Sequence, residues 1–84
     1  MELHMKEKSV KAILGKIETA TSGDVYTRWN KRNRRVELIV DSHVFHEAVS
    51  YREAAAMAIV VVAEQEGIKV APRLMRWARY ETGV

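Results

Sequence analysis

Val25-Tyr26-Thr27-Arg28-Trp29-Asn30-Lys31-Arg32-Asn33-Arg34-Arg35-Val36-Glu37-Leu38-Ile39-Val40 is the stretch whose reading decides the fold. Residues 25–30 alternate, with Val25, Thr27 and Trp29 on one side and Tyr26, Arg28 and Asn30 on the other. They are also rich in the β-branched and aromatic types that fit a pleated surface. Val36 to Val40 satisfies the same criteria and is a second strand. Lys31 to Arg35 lies between them, and Asn33 is the residue there suited to the positive φ angle of a tight connection. The two strands therefore form a hairpin with a basic tip.

Toward the C-terminus, Asp41-Ser42 closes a second tight turn into a third strand, His43 to Val49. Ser50 stands three residues before Glu53, a capping-box pattern in which the two side chains satisfy unpaired amides of a helix's first turn. The helix it opens begins at Tyr51 and runs through Ala54, Met57, Ala58, Val61 and Val62 to Glu66, where Gly67 can take the left-handed conformation that stops it. Its middle is apolar all round, so it must be covered on several sides, by the sheet, another helix or a second subunit. Ala71 precedes Pro72 and is biased toward extended geometry, while Pro72 itself suits a first helical position. Arg73, Arg76 and Arg79 follow at intervals of three, which gives a short third helix with a basic edge, a terminal strand being the alternative.

Toward the N-terminus, Val10, Ile13, Leu14 and Ile17 recur at i, i+3, i+4 and i+7, with Lys6, Lys8, Lys11 and Lys16 largely off that stripe. This spacing predicts an amphipathic helix from Met5 to Ala20, ended by Thr21-Ser22-Gly23-Asp24. The fold class is α+β in the order α-β-β-β-α, a three-stranded antiparallel sheet packed on helices, with a short C-terminal helix. One domain spans residues 1–84.

Composition narrows the function. A chain of 84 residues supports one modest core, and 48% apolar with 30% charged residues is the balance of a folded globular protein. The chain has no cysteine, so neither disulfides nor thiolate metal sites can supplement that core, and a cytoplasmic location is the default expectation. The longest apolar run, Ala54 to Ala63, is ten residues, against roughly twenty for a membrane-spanning helix. Met1-Glu2-Leu3-His4-Met5-Lys6 does not open like a secretory signal. With no Gly-x-Ser-x-Gly elbow and only scattered glycines, neither an enzyme nor a cofactor is expected. His43, His46 and Glu47 have the chemistry of zinc ligands, but residues three apart on a regular strand point to opposite faces, which argues against a metal.

The net charge of +3 is modest, but its distribution is not even. Five of the fourteen basic residues fall between Arg28 and Arg35 with no acid among them, and Lys69, Arg73, Arg76 and Arg79 lie near the C-terminus. Such segregation attracts polyanions, and guanidinium groups on a loop can reach phosphate oxygens. The expected nucleic-acid contacts are Arg28, Trp29, Asn30, Lys31, Arg32, Arg34 and Arg35, with Arg73, Arg76 and Arg79 extending the surface beside Trp77 and Tyr80. In this reading the arginines hold the backbone while Trp29, Asn30 or Arg28 touch bases, and DNA is slightly favoured over RNA. Each feature has a plainer explanation: loop charge serves solubility, and Trp77 packs in a core. The alternative function is a protein-interaction module, a small regulator or inhibitor of the sort mobile elements encode. It would act on a nucleic-acid-binding partner or dimerise through helix 51–66, where Met57, Ile59, Val60 and Val61 offer a seam.

The order strand, basic turn, strand, turn, strand, followed by Ser50-Tyr51-Arg52-Glu53-Ala54-Ala55-Ala56-Met57-Ala58, resembles two families. It is similar to the three-stranded-sheet-plus-helix DNA-binding domains of integrase arms and plant ethylene-response factors. With the first helix added, the layout also resembles the double-stranded-RNA-binding domain, whose second helix opens with Ser, two basic residues, Glu and Ala. Tyr51 and Arg52 stand where that family has paired lysines, and Phe45-His46-Glu47-Ala48-Val49 replaces its glycine-rich lead-in. The extra helix, Glu37 and Asp41 depart from the DNA-binding pattern. Both resemblances imply that Arg28 to Arg35 and the exposed sheet face meet nucleic acid.

Overall fold

The computed structural model describes residues 5–83. Its elements are α1 (Glu7–Ala20), β1 (Val25–Asn30), β2 (Arg35–Val40), β3 (His43–Ala48), α2 (Tyr51–Glu64) and α3 (Pro72–Thr82). The strands form one antiparallel sheet in the order β1-β2-β3, so the chain is the expected α+β fold with a C-terminal helix in place of the alternative strand. The Cα radius of gyration, 11.8 Å, is that of one compact domain of this length.

The join between α1 and β1 is made by Thr21. Its buried hydroxyl donates to the Ile17 carbonyl at 2.9 Å and accepts from the Val25 amide at 3.1 Å, so one side chain ends the helix and starts the strand. Gly23, at φ 86°, returns its amide to the Glu18 carbonyl at 2.8 Å. Asp41 and Ser42 connect β2 to β3 with φ 51° and 70°, the paired left-handed conformation whose twist matches a two-residue hairpin.

Leu38 pairs with His46 but Ile39 with Val44, which leaves Phe45 as the extra residue of a β-bulge. The bulge shifts the phase of β3. His43 and His46 both oppose inward-facing residues, Val40 and Leu38, and so lie on one side of the sheet, where an unbroken strand would separate them. That side packs on the helices, through Val25, Leu38 and Val40 and, nearer the basic turn, through Val36 and Ala48 against Ala54. The opposite face, carrying Tyr26, Arg28, Asn30, Glu37, Ile39, Val44 and Glu47, is covered by no helix or strand of the described residues.

Helix α2 is the centre of the molecule. The sheet, α1 and α3 all pack on it, and Ala54, Ala55, Ala56, Ala58, Ile59, Val60, Val61 and Val62 are buried around its circumference. Its apolar faces are thus consumed within one chain. The proposed seam loses Ile59, Val60 and Val61 to the core, leaving Met57 only partly covered. α2 stops at Glu64, two residues short of the expected Glu66, because Gly67 at φ 65° lets the Ile68 amide return to the Val62 carbonyl at 3.0 Å. α3 starts with Pro72 in its first turn, packs on α2 alone and buries Trp77 and Ala78 there.

Candidate nucleic-acid interface

The basic turn is organised by an acid. Glu37 lies directly across the ladder from Arg28 and diagonally from Asn30, and it is buried although it belongs to the uncovered face. Its Oε1 accepts from Arg28 Nε at 2.9 Å and Nη2 at 2.7 Å, and its Oε2 accepts from Asn30 Nδ2 at 2.9 Å. Asn30 Oδ1 in turn accepts from the backbone amides of Arg32 at 3.0 Å and Asn33 at 3.3 Å. A chain of hydrogen bonds therefore runs from a buried carboxylate into the backbone of the turn. Donation by Asn30, and then by Arg28, holds the Glu37 carboxyl below the ordinary glutamate range, and the same pairing raises the Arg28 guanidinium.

Positive φ falls on Arg34, at 54°, and not on Asn33. Asn30 fixes the amides at the middle of the turn, so the reversal into β2 is completed one residue later. Asn33 Nδ2 instead donates to Glu47 Oε1 at 3.4 Å, tying the tip to β3. Lys31, Arg32 and Arg34 are exposed, and among the described residues their side chains make no hydrogen bond or ion pair. Arg35 Nη1 donates to the Arg34 carbonyl at 3.3 Å. The tip thus presents cations on a backbone that is already fixed.

Arg28 and Asn30 belong to the framework of this turn, since Glu37 engages Nε and Nη2 of Arg28 and Nδ2 of Asn30, and the turn amides engage Oδ1 of Asn30. Trp29 lies on the other face of the sheet. It is 49% exposed and opposes Val36, against which Tyr51 also packs. No protein-family model, curated protein or solved structure matches this chain.

The C-terminal arginines are not brought to the hairpin. Arg73, Arg76 and Arg79 are exposed on α3, which touches no strand, and Arg79 Nη2 lies 3.6 Å from Glu64 Oε1 at the end of α2. Tyr51, beside the hairpin end of the sheet, is at the other end of that helix, about 20 Å away at 1.5 Å per residue. Trp77 is core, with its indole N–H buried and without a hydrogen-bond partner among the described residues.

Ser50 and Glu53 form the expected cap, Ser50 Oγ accepting from the Glu53 amide at 3.2 Å. Glu53 Oε2 accepts from the Val49 amide at 2.9 Å, and Oε1 lies 3.2 Å from His46 Nε2. The Val49 amide, helped by His46 and Arg35 and opposed by partial desolvation, holds the Glu53 carboxyl below its usual range. Although the bulge brings His43 and His46 to one side, no group of three or more metal-ligating side chains gathers among the described residues. Nor is any described helix long and apolar enough to cross a membrane.

Glu37 is the site residue that the charge pattern missed, appearing there only as an acid on a basic surface. The signal was present: Arg28 and Glu37 are equidistant from the middle of the turn, which is where cross-strand partners of a hairpin lie.

Proposed function

We propose that this protein binds nucleic acid by gripping phosphates with Lys31, Arg32, Arg34 and Arg35 at the tip of the β1–β2 hairpin. The observation that carries the reading is the coupling of exposed cations to a turn braced from beneath by Glu37 and Asn30. A loop charged only for solubility has no need of a buried acid to fix its backbone. A phosphate clamp does, because a preformed turn pays less ordering cost on binding. The layout resemblance to sheet-based DNA- and RNA-binding domains supports the same reading, as does a pI near 9.5. A cytoplasmic location fits a chain without cysteine.

Replacing Arg32, Arg34 and Arg35 together by alanine tests it. The expected result is weaker binding to DNA and RNA, with the slope of log affinity against log salt lowered by roughly 2 to 3, since each phosphate contact contributes about 0.7 to 0.9. Unchanged affinity and slope would overturn the assignment. One observation favours a second reading, a protein-interaction module: Val44 and Phe45 are 47% and 45% exposed on the edge strand β3. Binding of a protein partner that is lost on Phe45→Ser yet kept in the arginine variant would favour it.

A further inference from the structure

A cleft of about 360 Å³ opens on the helix side of β1, lined by Lys11, Leu14, Gly15 and Glu18 of α1, by Thr27 and by Tyr51. Gly15 is its most informative residue. A glycine inside a helix costs stability and is normally kept where a neighbour packs too closely for a side chain. Nothing lies within 4 Å of a Cβ built at Gly15, so close packing is not the reason here. What the glycine leaves is the open floor of the cleft.

The walls are of mixed chemistry. Leu14 and the Tyr51 ring supply apolar surface, whereas the Lys11 ammonium, the Glu18 carboxylate and the hydroxyls of Thr27 and Tyr51 hydrogen-bond to nothing among the described residues. Lys11 and Glu18 sit two turns apart on one face of α1, with Gly15 between them. A flat ligand entering there meets an aromatic ring, a cation that donates and a carboxylate that accepts. A phosphate would be repelled by Glu18, and a purely apolar ligand would strand both charges. A heterocycle with donors and acceptors along its edge suits all of these groups.

The cleft is also aligned with the hairpin. Thr27 and Trp29 share one face of β1 and Lys31 begins the turn, so cleft, half-exposed indole and cationic tip follow one another over about 13 Å of strand. We propose that the cleft receives an unpaired base of a single-stranded nucleic acid whose phosphates rest on the tip, with Trp29 stacking on the adjoining base. The inference rests on the phosphate-binding reading of the hairpin and adds the ligand class: bases of a duplex are stacked and paired and cannot enter such a cleft without being flipped out.

The experiment compares the full chain with Gly15→Leu, whose side chain begins in open space and narrows the cleft. A Lys11→Ala/Glu18→Ala double variant is the exposed-surface counterpart, and circular-dichroism melting checks that each is folded. Each protein is titrated with a mixed-sequence single strand, an abasic strand of equal phosphate number and a duplex, in DNA and RNA forms. The expected result is wild-type preference for the single strand over the abasic strand by tenfold or more, with tryptophan quenching that Trp29→Phe removes. Both cleft variants should lose that tenfold while binding the abasic strand as before. Full single-strand affinity in the folded cleft variants, or equal wild-type affinity for single, abasic and duplex strands, would overturn the cleft. Unchanged binding after loss of Arg32, Arg34 and Arg35 would overturn the hairpin reading itself.

Discussion

Glu37 shows how one carboxylate can organise a surface of the opposite sign. It neutralises Arg28, fixes Asn30 and through Asn30 holds two turn amides, leaving the cations beyond it projecting from a shaped loop. A neutral hydrogen bond contributes a net ~1 kcal/mol, so Asn30→Ala should speed hydrogen exchange at the Arg32 and Asn33 amides about fivefold while leaving the core amides unchanged. Nuclear magnetic resonance exchange rates would show it. The two depressed carboxyls also fix a pH dependence. Glu37 and Glu53 bind protons less readily folded than unfolded, so their contribution is complete above the ordinary glutamate pKa and is lost as pH falls through their lower folded values. Urea midpoints should therefore hold level from neutrality to about pH 4.3 and decline below it, and Glu37→Gln combined with Glu53→Gln should flatten that decline. An undiminished acid limb in the double variant would contradict the assignment.

At the scale of elements, what the sequence made legible was what local patterning controls. Alternation around Trp29 and Leu38, the Ser50–Glu53 cap and the Pro72 start each place an element to within a few residues, because each depends on neighbours in the chain. The bulge at Phe45 was not legible, since it is a property of pairing with β2, and it alone puts His43 and His46 on one side. The all-apolar α2 posed a question its own residues could not answer: coverage by α1, α3 and the sheet depends on how distant segments pack. Gly15 was legible only as a residue inside a helical pattern, and its meaning came from the space above it. Because that space is open, Gly15→Ala should raise stability by about 0.5–1 kcal/mol, whereas Ser50→Ala should lower it by about 1 kcal/mol through loss of the cap. Denaturant titrations of both variants test the signs, and a destabilising Gly15→Ala would mean that the α1–β1 cleft is tighter than described.

For the whole molecule, the decisive feature is that the basic residues form two groups on elements that do not touch, the hairpin and α3. In the sequence the second group reads as an extension of the first, because linear charge density cannot register that α3 packs on α2 alone and reaches no strand. The two groups also differ in what surrounds them. The hairpin cations stand on a braced turn next to Trp29 and the cleft, while Arg79 pairs with Glu64, and the cleft that α3 borders through Leu74 is lined chiefly by apolar side chains of α1 and α2. A strand short enough to occupy only the hairpin and cleft should therefore not feel α3. With a short single-stranded oligonucleotide, Arg73→Ala, Arg76→Ala and Arg79→Ala together should leave the salt slope nearly unchanged, whereas the hairpin triple variant should lower it by about 2. On lengthening the oligonucleotide well past the ~20 Å length of α2, the α3 variant should begin to lose affinity, because a strand that long can touch both groups. Equal losses in the two variants on the short strand would mean that the groups act as one surface, and that α3 lies nearer the hairpin in solution than its packing on α2 places it.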